Sequence, residues 1–152
     1  MFSHNSKICE EGLERPDYVV EKYDDENNFQ YISCIGEIKP VGKSPRLYKL
    51  DLYRIATFSK QQIIRKNLNK ILSFLCVGRS IKFFCMSYVS DVFEFVEIAE
   101  INIPKARYNA GALKQYLKIL VMVCKIHNEI TIVDEKYSTN LQILPFDFIQ
   151  NT

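Results

Sequence analysis

The feature that most constrains this chain is a change of hydrophobic period marked off by prolines. Two β-rich stretches, Asp17–Tyr23 and Phe29–Lys39, are separated by the polar cluster Asp24–Asn28. Such runs joined by five turn-forming residues predict an antiparallel hairpin. Pro40, Gly42 and Pro45 end it, because proline lacks a donor and restricts the residue before it. Beyond Pro45 the spacing switches. Leu47, Leu50, Tyr53, Ile55 or Ala56, and Phe58 recur at three- and four-residue steps, which predicts a helix from Arg46 to about Lys70, with Ser59 either interrupting it or starting a turn-rich segment that carries Ile63, Ile64 and Leu68. Three β-rich runs follow, Ile71–Val77, Ser80–Val89 and Val92–Ile103, with Gly78-Arg79 and Ser90-Asp91 as turns and Pro104 closing the sheet. A second amphipathic helix is expected over Ala110–His127, with Leu113, Leu117, Leu120 and Val121 inward, then a short strand at Ile130–Val133. Ahead of Pro16 there is room only for a short helix carrying Glu10, Glu11 and Glu14. The order predicts an α/β (mixed α+β) class, a central mixed β-sheet flanked by helices, as a single domain over residues 1–152.

Hydrophobic residues make up 47% and charged residues 25%, a globular balance that argues against disorder. Apolar runs fall far short of the ~20 residues that span a bilayer, so no membrane partner is expected. Met1–Lys7 lacks the apolar core of a signal peptide. The five cysteines form no CxxC pair, which suits reduced thiols. The expectation is an intracellular protein, nuclear or cytoplasmic and not secreted, of open oligomeric state.

The net charge of +2 conceals a segregation. Residues 1–37 carry net −6, residues 39–82 net +10, and residues 83–152 net −2. A basic block of that density is a footprint for a polyanion, or else a solvated helix face that balances the acidic segments.

Chemistry concentrates at Pro16-Asp17, which opens one strand of the hairpin, and at Glu37-Ile38-Lys39, which closes the other. Strand alternation puts Glu37 and Lys39 on one face and Ile38 on the opposite, buried one. Equal steps from a loop centre at residue 26 place Asp17 opposite about residue 35, close to Glu37. Two carboxylates that near repel unless a cation lies between them, and Mg²⁺ takes one or two carboxylates with waters and a phosphate oxygen. Lys39 could orient an attacking water or neutralise charge developing on phosphate. Arg46, Lys49, Arg54 and Lys60 would track the phosphates of a nucleic acid. The plain structural alternative makes Asp17 a turn residue and Glu37 and Lys39 an exposed strand pair.

With Pro16-Asp17 and Glu37-Ile38-Lys39, the sequence resembles the PD-(D/E)XK nuclease superfamily. The resemblance implies a restriction-endonuclease-like core, with Asp17, Glu37 and the Ile38 carbonyl as ligands of Mg²⁺ (or Mn²⁺) and Lys39 as the catalytic lysine. It implies an Mg-dependent nuclease hydrolysing phosphodiester bonds, on DNA before RNA. The rival expectation is a catalytically inactive nuclease-fold module that binds nucleic acid or protein. Such folds often add a first-helix acid, for which Glu10, Glu11 and Glu14 are the candidates. Gly36–Pro40 and Asp51–Lys60 are also similar to uncharacterised proteins expanded in mucoralean fungi, a likeness that speaks to boundaries and not to activity.

Other chemistry is thinly represented. His4 and His127 are the two histidines, and His127 reads as a helix-end cap. Cys34, Cys85 and Cys124 read as core, as do Phe83, Phe84, Phe93 and Phe95. Gly42-Lys43-Ser44 lacks the upstream glycine of a phosphate loop and reads as a turn. Asp134-Glu135-Lys136 repeats the acidic-x-Lys pattern without a hairpin partner.

Overall fold

A computed structural model describes residues 16–42, 44–103 and 110–134. The expected first helix with Glu10, Glu11 and Glu14, together with Pro104, Glu135 and Lys136, lies outside the described residues. In chain order the elements are β1 (Tyr18–Tyr23), β2 (Phe29–Lys39), α1 (Pro45–Lys66), β3 (Lys70–Val77), β4 (Ser80–Val89), β5 (Val92–Asn102) and α2 (Ala110–Asn128). They form one five-stranded sheet in the order β1-β2-β3-β4-β5, flanked by the two helices. The fold is a mixed α/β domain. Only β2 and β3 run parallel, because α1 carries the chain back to the starting end of the sheet; the other pairs are antiparallel hairpins.

Local chemistry explains most of the boundaries. Asp24 Oδ1 accepts the backbone N–H groups of Glu26 (3.0 Å) and Asn28 (2.8 Å), and Asn27 adopts φ 63°. The β1–β2 loop is thus closed by an aspartate side chain on its own backbone. Ser44 caps α1 by accepting the Leu47 N–H, and Pro45 fits the first helical position, where its missing donor costs nothing. Asn67, in the left-handed region at φ 53°, ends the helix. Ser59 does not interrupt α1. It is buried, and its hydroxyl pairs with that of Ser73 on β3 at 2.8 Å. Satisfied in this way, it costs the helix little.

The core lies where α1 meets the sheet. Ile55 packs with Leu75 and Phe84, and Ile63 with Ile35, Ile71, Leu72 and Met86. Phe84 stacks on Phe95 with ring centroids 5.0 Å apart. α2 departs from expectation: Leu113, Leu117, Leu120 and Val121 are exposed, Leu113 by 57%. The helix turns Val123 and Ile126 to the core instead. Helical period alone cannot choose between two apolar stripes, and α2 carries both. Cys124 is likewise exposed, while Cys34 and Cys85 are partly buried. Burial pushes the Cys34 thiol up to about 12, so it is inert. The expected strand at Ile130–Val133 reduces to a bridge between Leu68 and Ile132.

Candidate functional site

The hairpin register builds the site. Tyr18 pairs with Gly36, so one step back Asp17 comes level with Glu37, not with residue 35. Two irregularities account for the difference. Val20 pairs with Cys34 but Glu21 with Ile32, and Lys22 pairs with Tyr31 but Tyr23 with Phe29, leaving Ser33 and Gln30 as extra residues in β2. Each advances β2 by one position. Gly36 admits the close approach of Phe74 from β3, whose ring occupies the space a Cβ would need.

At this end of the sheet Lys39 lies among three carboxylates. Its Nζ is 2.8 Å from Glu37 Oε2, 3.5 Å from Asp17 Oδ2 and 3.8 Å from Asp51 Oδ1. Arg54, one helical turn beyond Asp51, places Nη2 3.5 Å from Glu37 Oε1 and Nη1 3.5 Å from Asp51 Oδ1. Asp17 Oδ2 also accepts the Ile38 N–H at 2.9 Å. Asp17, Glu37 and Lys39 are therefore brought together on one face. Ile38 points to the other face and is exposed, not buried. Its N–H leaves the strand toward Asp17, and the carbonyl of a strand residue leaves by the same edge.

The electrostatics are uneven. Glu37 is fully buried, with 0% exposure, and neither carboxylate oxygen accepts a well-directed hydrogen bond. Burial raises its pKa, and the neighbouring Asp17 adds to the rise, although Lys39 and Arg54 work against both. For Asp17, burial also favours the neutral acid, but the Ile38 N–H, a hydrogen bond with the Glu37 carboxyl group and Lys39 outweigh it, and the net shift is downward. Burial opposes the Lys39 charge too, yet Glu37, Asp17 and Asp51 hold its pKa above the usual lysine value. Among the described residues, three carboxylates face the two cations Lys39 and Arg54.

Among the described residues no group of three or more His, Cys, Asp or Glu side chains is arranged to hold a metal ion. Asp17 and Glu37, with the Ile38 carbonyl on the same edge, form a smaller set of hard oxygen donors, and Mg²⁺ requires no more than one or two carboxylates. The undirected oxygens of Glu37 fit a cation.

The expected phosphate contacts divide. Arg46 stands exposed on the first turn of α1. Lys49 is exposed too, but two residues from Asp51 it lies on the far side of the helix from the carboxylates. Arg54 is turned into the cluster, with its side chain 12% exposed. Lys60 lies over the Phe93 ring, 5.1 Å from the centroid. Asp51 was not among the residues expected here, and Arg54 was expected at the phosphates and not beside Glu37. One signal was available: Asp51 is the single acidic residue among the +10 block at 39–82. His127 lies in the last turn of α2, and its Nε2 is 2.8 Å from Ser33 Oγ.

No protein-family model, curated protein or solved structure matches the chain. The chemistry of the site therefore rests on its own geometry. No described helix is long and apolar enough to cross a membrane.

Proposed function

We propose that this chain is a divalent-metal-dependent phosphodiesterase domain of the restriction-endonuclease-like type, acting on nucleic acid, DNA first. The observation that carries the reading is the fully buried Glu37 carboxylate, without directed hydrogen bonds, beside the carboxylate of Asp17 and the ammonium of Lys39. Buried charge of this kind does little for stability and is a common mark of function. Asp17, Glu37 and the Ile38 carbonyl would hold Mg²⁺ or Mn²⁺. When bound, the ion supplies Lewis-acid polarisation of a phosphoryl oxygen and a more acidic water. Lys39 orients that water or neutralises charge on the phosphate, and exposed Arg46 at the start of α1 positions the backbone. The order hairpin, helix, parallel strand is in keeping with this type of core.

The test is cleavage of end-labelled DNA with Mg²⁺ or Mn²⁺, with and without chelator, beside Lys39→Ala. Metal-dependent cleavage that Lys39→Ala lowers by at least about a hundredfold supports the proposal. No cleavage by the wild type, or equal cleavage by both proteins, overturns it. A catalytically silent module is the second reading, favoured by one observation: Lys39 and Arg54 already pair with the buried carboxylates. Chelator-insensitive DNA binding without cleavage would select it.

A further inference from the structure

Asp51 is the acid that the strand motif does not contain, and it reaches the site from helix α1. It is buried, with 6% exposure, and contacts Lys39 Nζ at 3.8 Å and Arg54 Nη1 at 3.5 Å. Its position follows from the helix: Asp51, Ile55 and Ser59 recur every four residues along the stripe that faces the sheet, where Ile55 packs on Leu75 and Ser59 meets Ser73. The residue is thus held by the same packing that holds α1 to β3.

The distances set a division of labour. Lys39 is nearest Glu37 and Asp17, the two carboxylates read above as metal donors. Donors engaged by a cation have less negative charge to offer an ammonium, and the cation repels that ammonium outward. A lysine on a flexible four-carbon stem would then swing to solvent unless a further counter-charge retained it. Asp51 is that counter-charge. Arg54, tied to Asp51 and to Glu37 Oε1, spans the gap and keeps the carboxylates of helix and strand from separating.

We infer that Asp51 is a positioning residue that keeps the Lys39 ammonium in the site when Asp17 and Glu37 are engaged by metal, with Arg54 linking it to Glu37. The inference rests on the metal-dependent reading above.

The experiment compares the full chain with Asp51→Asn, Asp51→Glu, Lys39→Ala and the double variant Asp51→Asn/Lys39→Ala. Mn²⁺ affinity is measured by calorimetry, and kcat and KM on a DNA oligonucleotide. Asp51→Asn is expected to lower kcat at least about tenfold, or ~1.4 kcal/mol of barrier, with KM and Mn²⁺ affinity unchanged within about twofold. Asp51→Glu, which retains the charge, recovers most of the loss. In the Lys39→Ala background Asp51→Asn costs no further activity, whereas a purely structural role would lower both backgrounds equally. If the double variant is too slow to measure, the unchanged Mn²⁺ affinity and the recovery in Asp51→Glu carry the result. Loss of Mn²⁺ binding in Asp51→Asn makes Asp51 a ligand and overturns the inference, as does undiminished kcat. A wild type that neither binds Mn²⁺ nor cleaves ends the functional reading and this one together, whereas an active wild type with an unaffected Asp51→Asn ends this one alone.

Discussion

Strand β2 carries two buried polar residues, Ser33 in its middle and Glu37 near its end, and the two are treated in opposite ways. Ser33 is 1% exposed and fully provided for, since its Oγ lies 3.1 Å from the Val20 carbonyl and 2.8 Å from His127 Nε2. Nearby, the Tyr31 hydroxyl donates to the Ile130 carbonyl at 2.9 Å. Glu37, four residues on, is equally buried but charged, and it has ion pairs without directed hydrogen bonds. Neutral groups with matched donors and acceptors lock β1, β2 and the end of α2 together. The charged end is left with a buried carboxyl group whose pKa is raised. One strand therefore separates a structural solution to burying polarity from an arrangement whose cost suits chemistry.

The comparison breaks most sharply at Glu37. Glu37→Gln is expected to reduce metal-dependent cleavage by about a thousandfold or more while changing stability by less than ~2 kcal/mol, because Lys39 and Arg54 retain Asp17 and Asp51 as partners. Cleavage assays beside urea unfolding would show it. A variant that unfolds with no selective loss of cleavage would make Glu37 another Ser33. Next in size is Gly36→Ala, where the new Cβ meets the Phe74 ring in the strand position beside Glu37. It should cost ~1–3 kcal/mol, and Phe74→Leu should restore part of that loss. Without such recovery in the double variant, the crowding lies elsewhere.

Ser33→Ala removes the hydroxyl between Val20 and His127. It should cost ~1–2 kcal/mol in denaturant unfolding, with kcat unchanged. A fall in kcat at constant stability would give Ser33 a functional role beside that of Glu37. The smallest effect concerns pH. Burial lowers the His127 pKa below 6.5, and the positive charge of Lys22 lowers it further. The unfolded chain therefore binds a proton more readily than the folded one. The stability due to neutral His127 is complete above about pH 6.5 and declines as pH falls through that value and below it. In His127→Gln, the pH dependence of Tm across this window should flatten. An unchanged slope would assign the loss to another group.

How far the sequence reached depended on range. The polar loop Asp24–Asn28, Pro45 as an end to the hairpin and the turns at Gly78 and Ser90-Asp91 act within a few residues, and the elements they bound appear close to where the pattern placed them. The hairpin also brought Asp17 near Glu37 by simple counting. What escaped was set at longer range. The extra residues Gln30 and Ser33 moved the register by two, and nothing in their identity marks a bulge. Arg54 looked like a surface cation because its block is basic, and only helix docking turned it toward Glu37. Leu113 and Leu117 looked like core because α2 has two apolar stripes, and the sheet accepted the other.

By itself, then, the sequence determined the succession of strands and helices and the meeting of Asp17, Glu37 and Lys39 in one hairpin, because period, turn chemistry and strand alternation are local. Tertiary structure alone decided that Asp51 and Arg54 complete the cluster, that Glu37 loses all contact with solvent, and which face of α2 is covered. Those outcomes depend on how α1 and α2 pack against β2 and β3, and packing is a property of surfaces far apart in the chain.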